Sequence, residues 1–475
     1  MDPVSTKENF KREIGVFALT LAILNITVGT GIFVIPAIIA EDLGAAAILA
    51  YLVCGGLIFL IALCFAEVGS RTTISGGVYS YIEMAFGPYA GFIANNLYWL
   101  GGCVLSDAAV ANALADSLKY FFPFLGNDGC RVVFFVLLFG GFALLNIRSV
   151  KNGVRFIEFA AFGKLIPLII LVIVGAAFVS TKNLAWASTP SIPAIGSASL
   201  LLFFAFVGLD TPLSNGGEIK NVRRTVPLGI FFGILSVLVL YISLQWVVQG
   251  ILGGAIAAHK DAPLAAAAGV VFGKAGIVLI IMVTSISMLG NLGGEILSIP
   301  RILFAGARDG LMPKALGRVH PKFRTPHIAV LFYASLGFLF AVSGGFKQLA
   351  IIATAATLLI YLGVVLSTLK LRNNHPAAKN DPSRNDRSTN GPLKNGPSTN
   401  DPSTNGPSTN DPFTPEKAFR VPGGVIIPLL ASAVIIWLLT GLTKAEFAGL
   451  AVFVAVFSVI YLLTKWAEKK KSIVV

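Results

Sequence analysis

Four ionisable side chains lie inside otherwise apolar stretches: Asp107, Lys164, Asp210 and Glu295. Charge in such surroundings is costly, and it marks internal pairs, interface contacts or a path for substrates and protons. Asp107 reads as a contact for a substrate or a proton, against an intraprotein pair or a polar turn. Asp210 stands between Gly208 and Pro212 in Phe203-Phe204-Ala205-Phe206-Val207-Gly208-Leu209-Asp210-Thr211-Pro212, and Glu295 follows Gly293-Gly294. Lys164 has only apolar neighbours one turn away, at Ala160, Ala161, Pro167 and Leu168. Its long stem could carry the ammonium to the interface; otherwise its partner must come from another helix.

Backbone groups can do chemistry as well. Val28-Gly29-Thr30-Gly31-Ile32 puts two glycines into an apolar run, and each weakens a helix by about 1 kcal/mol. In lipid, freed backbone groups are tolerated only where they are buried in protein or line a cavity. A helix broken near the midplane offers N–H groups to an anion and carbonyls to a cation. An amino acid carries both charges. Close helix packing through small residues is the plainer reading of the glycines. The stretch around Gly208 and Pro212 supplies a second interruption. The two fall at corresponding places in two halves of five spans, the strongest sequence pointer to a transport site.

The elements that must hold these groups are membrane spans. Of 475 residues, 55% are hydrophobic and 12% charged, against about 25% charged in soluble domains. A bilayer core needs about 20 apolar residues per helix. Twelve stretches qualify, near 14–40, 44–67, 88–118, 132–150, 155–179, 196–218, 226–252, 265–299, 328–344, 348–370, 424–442 and 445–466. The predicted fold class is therefore an all-α membrane protein of about 12 transmembrane helices. The first apolar stretch reads as a retained span rather than a cleaved signal.

With both termini on one side, 28 of the 36 Lys and Arg fall in segments on that side and 7 on the other. That asymmetry predicts cytoplasmic termini in a multi-pass protein of the plasma or bacterial inner membrane. The net charge of +13 thus reads as a topology signal, not a nucleic-acid surface. Residues 373–412 repeat STNGP or STNDP and hold almost no apolar side chain, which predicts a disordered cytoplasmic loop. Cys54, Cys64, Cys103 and Cys130 have neither zinc nor disulfide spacing. There is no Walker A sequence and no grouping of Ser, His and Asp. These observations argue against an ATP-driven pump and an enzyme, and call for no cofactor or metal.

Four stretches together resemble the amino acid–polyamine–organocation transporters, from Ile14 to about Leu371. They are Gly29-Thr30-Gly31-Ile32-Phe33; Phe65-Ala66-Glu67 with Ser75-Gly76-Gly77-Val78-Tyr79-Ser80-Tyr81 and Ala85-Phe86-Gly87; Phe204 to Asp210 with Glu218-Ile219-Lys220-Asn221; and Ala307-Arg308-Asp309-Gly310-Leu311-Met312-Pro313 with Thr325-Pro326. The resemblance implies an inverted repeat of five plus five helices, as in the LeuT-like folds, with helices 1 and 6 broken and two further C-terminal helices. It would divide the chain into a cytoplasmic segment 1–13, repeats over 14–179 and 196–371, a loop over 372–422, two helices over 423–466 and a cytoplasmic tail 467–475. It implies alternating access around a small-molecule substrate, an amino acid or amine, with a proton as the candidate coupling ion. A homodimer is left open.

Tyr98-Trp99, Tyr120-Phe121-Phe122-Pro123 and Leu289-Gly290-Asn291-Leu292-Gly293-Gly294 are similar to the basic amino acid–amine antiporters within that family. Carried over, Thr30 and Gly31 would meet the substrate carboxylate, with Gly29 also in the substrate site. The carbonyls of Thr27, Phe204 and Val207 would meet the ammonium, with Ala205 and Gly208 completing the pocket beside Asp107 and Glu295. Asp210 would replace a functional glutamate. Glu295 stands where those antiporters stack a tryptophan, and Phe204 replaces a second one, so the substrate need not be theirs. Lys164 resembles a family lysine that stands in for a coupling sodium ion between spans 1, 5 and 8, and the basic antiporters lack it. It and Asp210 are thus expected to serve proton coupling or gating. A channel or transporter-like sensor is the competing class, but neither a continuous polar stripe nor an added folded cytoplasmic domain supports it.

Overall fold

The computed structural model describes residues 14–71, 77–148, 163–186, 188–208, 219–308, 312–374 and 419–474. Among these the chain is helical apart from turns, connecting segments and one isolated bridge. Seven helical stretches are long and apolar enough to cross a bilayer, and five more apolar helices are shorter. Asp210, the predicted disordered loop beyond Asn374 and the first part of the predicted fifth span lie outside the described residues.

The first span is two helices. α1 (Val16–Thr27) ends where Val28 leaves helical geometry, Gly29 is extended, and α2 (Thr30–Leu43) begins. A Gly-Thr-Gly sequence yields here because neither glycine brings a side chain to stabilise the helix. α3 (Ile48–Arg71), α4 (Gly77–Phe86) and α5 (Pro88–Asn96) follow, then a π-helical stretch over Leu97–Val104 that runs into α6 (Leu105–Leu118). π segments open a helix locally and mark functional or strained places. The next helices are α7 (Asp128–Arg148), α8 (Leu165–Gly175), α9 (Ile192–Phe203), α10 (Val222–Leu252) and α11 (Pro263–Arg308), which kinks at Gly273. The remaining four are α12 (His327–Ser343), α13 (Phe346–Asn374), α14 (Ile426–Leu439) and α15 (Lys444–Val474).

α1 packs along α10, and α3 packs on the same helix from another side. α2 is buried along most of its length, against α9, α11 and the 3-10 turn Gly253–Ala258. α6, α7 and α12 form a second group, fastened by polar bonds. Arg131 reaches Asp116 and Asn112, and the Asn112 amide donates to the Ala341 carbonyl. In a low-dielectric interior such bonds fix relative helix positions better than apolar contact alone.

Ion pairs tie each end of the bundle. At one end Lys260 meets Glu41 at 2.7 Å, and Lys119 bridges Asp116 and Asp261. At the other, fully buried Glu67 is held in two bonds by Arg372 and accepts the Val421 amide at 2.8 Å. Glu67 thus joins α3, α13 and the entry to α14. Trp99 is 3% exposed, inside the π segment, with its indole donating to Asn96.

Candidate functional site

The two interruptions face each other. α9 ends at Phe203, a single 3-10 turn covers Phe204–Phe206, Val207 is extended, and Gly208 has φ +115. A side chain there would be strained by the backbone and would meet Ile26 at 2.9 Å. Gly208 is therefore a position where glycine is required. Across from it, a β-carbon on Gly31 would stand 2.6 Å from the Cα of Ala205. The glycine lets α2 touch the second interruption backbone to backbone. The space beside Gly31 that the sequence assigned to a substrate carboxylate is occupied by Ala205.

Backbone N–H groups stand at the same place. Thr30, Gly31 and Ile32 open α2, and the first N–H groups of a helix have no partner within it. They lie at the positive end of the helix dipole. The Thr30 and Thr27 hydroxyls and the Asn25 side-chain oxygen are buried at this break and have no hydrogen-bond partner among the described residues. Buried polar atoms are rarely left so, and their concentration here is what a ligand-binding break requires.

The carbonyl side is organised by a residue the sequence reading missed. The Tyr241 hydroxyl of α10 lies 2.8 Å from the Thr27 carbonyl and 2.9 Å from that of Ala205. One O–H can donate to either, so it bridges both interruptions. The Thr27 carbonyl also accepts the Gly29 amide at 2.7 Å. For that carbonyl to meet a substrate ammonium, as expected, Tyr241 must favour Ala205. The signal for Tyr241 was present: a phenol inside an apolar span needs a partner.

Lys164 lies just before α8 and is 9% exposed. Its ammonium donates to the Asn25 carbonyl of α1 at 2.5 Å. The partner comes from another helix, and from span 1. Phe204, in the 3-10 turn that follows α9, lies edge-on to Phe346 of α13. Asp107 is fully buried in α6, where Tyr333 of α12 donates to Oδ2 at 2.9 Å. Glu295 is partly exposed on α11, a helix that packs against both α6 and α12. The structure thus brings Thr27, Gly29, Thr30, Gly31, Ala205, Val207, Gly208 and Lys164 around one break. Asp107 and Glu295 form a second group on the α6, α11 and α12 helices.

This arrangement can hold a zwitterion: N–H groups at the start of α2, carbonyls at the ends of α1 and α9, and a lysine and a tyrosine on the flanking helices. Comparison with known proteins identifies the family. A family model described as "Amino acid permease" matches residues 14–395. The chain is 30% identical over 388 residues to the serine/threonine exchanger SteT of Bacillus subtilis (strain 168), covering 79% of this chain and 86% of that protein. It is 28% identical to the branched-chain amino acid permease BcaP of the same organism over 401 residues, 78% of this chain and 83% of the other. A methylthioribose transporter, also from that organism, is 26% identical over 495 aligned positions, 97% and 94% of the two chains. With the family model spanning most of its length, the chain belongs to the amino acid permeases of the amino acid–polyamine–organocation transporter family.

Proposed function

We propose that the protein carries amino acids across the cell membrane by alternating access, with the α-carboxylate on the α2 N-terminus and the α-ammonium on the carbonyls of the two interruptions. The observation that carries this reading is the meeting of the two breaks at Gly31 and Ala205, with Tyr241 bridging their carbonyls. Two of the three relatives described are named for amino acids, one as a permease and one as an exchanger. The third is named for methylthioribose, which lacks the α-amino and α-carboxyl groups that this pair of helix ends suits. In this reading the core is two inverted five-helix repeats over 14–179 and 196–371, followed by two further helices, with both termini cytoplasmic.

Movement is driven by a proton or by exchange. Lys164 favours a proton role, since its ammonium joins the start of α8 to the Asn25 carbonyl of α1 and that bond would weaken on deprotonation. Asp210 remains a proposed gate residue beside the second break. Uptake of a panel of labelled amino acids into proteoliposomes, with and without an inward proton gradient, tests the reading. Accumulation of at least one amino acid supports it. No uptake of any amino acid by a folded protein, alongside uptake of methylthioribose, would refute it.

The exchange of a basic amino acid for its amine is the second reading. The partly exposed Glu295 favours a cationic side chain, but Lys164 at the break is a feature that group of antiporters lacks.

A further inference from the structure

A slot of about 280 Å3 lies between the π segment, α12, α13 and the last helix, α15. None of the residues at the two breaks lines it, so it is separate from the proposed substrate site. Its lining among the described residues holds no titratable side chain. Leu97 and Leu105 wall it on one side, Leu349 and Ile352 on another, Leu450 and Phe453 on a third. Its two polar side chains, Ser343 and Gln348, are exposed and flank the turn from α12 into α13, which puts them at one face of the membrane. From Gln348 to Ala356, α13 runs about 12 Å along the slot. The slot is thus polar at its mouth and apolar for the rest of its depth.

The gap cannot close by drawing the helices together. Gly101 of the π segment is already against α13, where an added β-carbon would stand 2.6 Å from that of Ala356. On the α15 wall, Gly449 leaves space that a side chain would take, since a β-carbon there meets nothing within 4 Å. Water is a poor occupant. A buried water needs two to four polar partners, and the depth of the slot offers no polar side chain. Left empty, the walls lose the contacts that a close-packed interior supplies. The lipid phase lies alongside. The spanning window of α15 is 6% buried, and Leu339 and Val342, next in the chain to Phe340 and Ser343 of the lining, are exposed. A hydrocarbon chain from the bilayer can enter without crossing water.

We propose that the slot holds one acyl chain of a phospholipid, drawn from the leaflet at that face, with the head group on the Ser343 hydroxyl and the Gln348 amide. With cytoplasmic termini this is the outer leaflet. The chain supplies contacts that α15 lacks, and so fastens that helix to α13 and the π segment. A phospholipid suits the mouth better than a free fatty acid, because its polar groups are neutral and no cation lines it to hold a carboxylate.

Carbene labelling of the purified full chain in phosphatidylcholine nanodiscs tests this. The bilayer carries a trace of phosphatidylcholine with a diazirine midway along one chain or, in a parallel sample, of a fatty acid bearing the same group. The phospholipid probe should label Leu97, Leu105 and Ala356, which are buried and out of reach of a lipid that only surrounds the protein. Gly449→Leu should lose that labelling, because its side chain fills the slot, and keep labelling at the exposed Val452 and Val456. Phospholipid label confined to exposed residues would overturn the proposal, as would unchanged labelling of the three buried residues in folded Gly449→Leu. Stronger labelling of the slot by the fatty acid would overturn the phospholipid as occupant. The unaltered protein decides the first and last of these outcomes, whether or not the variant folds.

Discussion

At the scale of single residues, the account turns on groups that join elements rather than groups that react. Tyr241 is one. Tyr241→Phe removes a hydroxyl shared by two carbonyls, 2.8 and 2.9 Å away, and leaves the ring against Phe206. A hydrogen bond of this kind contributes about 0.5–1.5 kcal/mol to folding, so thermal stability should fall by about that much, and substrate affinity should fall with it as the two interruptions lose their shared contact. Direct binding and thermal unfolding on the same preparation separate these effects. Lys164 is another. Its ammonium bonds the Asn25 carbonyl, so its charge biases how firmly α1 is held to α8. An exchanger needs the conformational step but no net proton movement. Lys164→Ala should therefore reduce uptake driven by a pH gradient more than it reduces exchange, measured side by side in proteoliposomes. Lys164 was legible in the sequence because an isolated charge stands out among apolar residues. Tyr241 was less so, since tyrosine is common in spans and only the fold shows that its hydroxyl meets two breaks at once. The place of Asp107 was not legible, because its surroundings come from α11 and α12, remote in sequence.

At the scale of elements, the broken first helix was readable from Gly29 and Gly31, and the structure gives the second glycine a different cause. Sequence reasoning made Gly31 a space for substrate. In the structure it is the contact at which α2 touches the Ala205 backbone. Gly31→Val must therefore push α2 away from the second interruption, and overpacking of this kind costs about 1–3 kcal/mol. The variant should lose thermal stability together with substrate binding, seen as parallel falls in the unfolding midpoint and in bound ligand. Lost binding with unchanged stability would restore the simpler reading of a carboxylate pocket. The π segment at Leu97–Val104 and the kink at Gly273 had no clear sequence signature. Hydropathy shows that a stretch is apolar and long, not how its hydrogen bonds are arranged. The Glu67–Arg372 bond was hidden for a related reason. Its partners are 305 residues apart, and each alone reads as an ordinary charge at a span end.

At the scale of the whole molecule, apolar stretches and basic-residue asymmetry carried most of the reading, because lipid restricts spanning backbone to a few solutions. The proposed orientation rests on the charges and has a native probe. Cys130 is exposed at the start of α7, whereas Cys54, Cys64 and Cys103 are buried. With the proposed cytoplasmic termini, Cys130 faces outward, and an impermeant thiol reagent should label it in intact cells. Labelling only after permeabilisation would reverse the orientation. The central claim is that two opposed helix breaks receive the two charged ends of an amino acid. Competition against uptake of a labelled amino acid tests it most directly, using competitors that lack either the α-carboxylate or the α-ammonium. The account predicts that removing either group abolishes competition at concentrations where the parent amino acid competes fully. Equal competition by the decarboxylated or the deaminated analogue would contradict it.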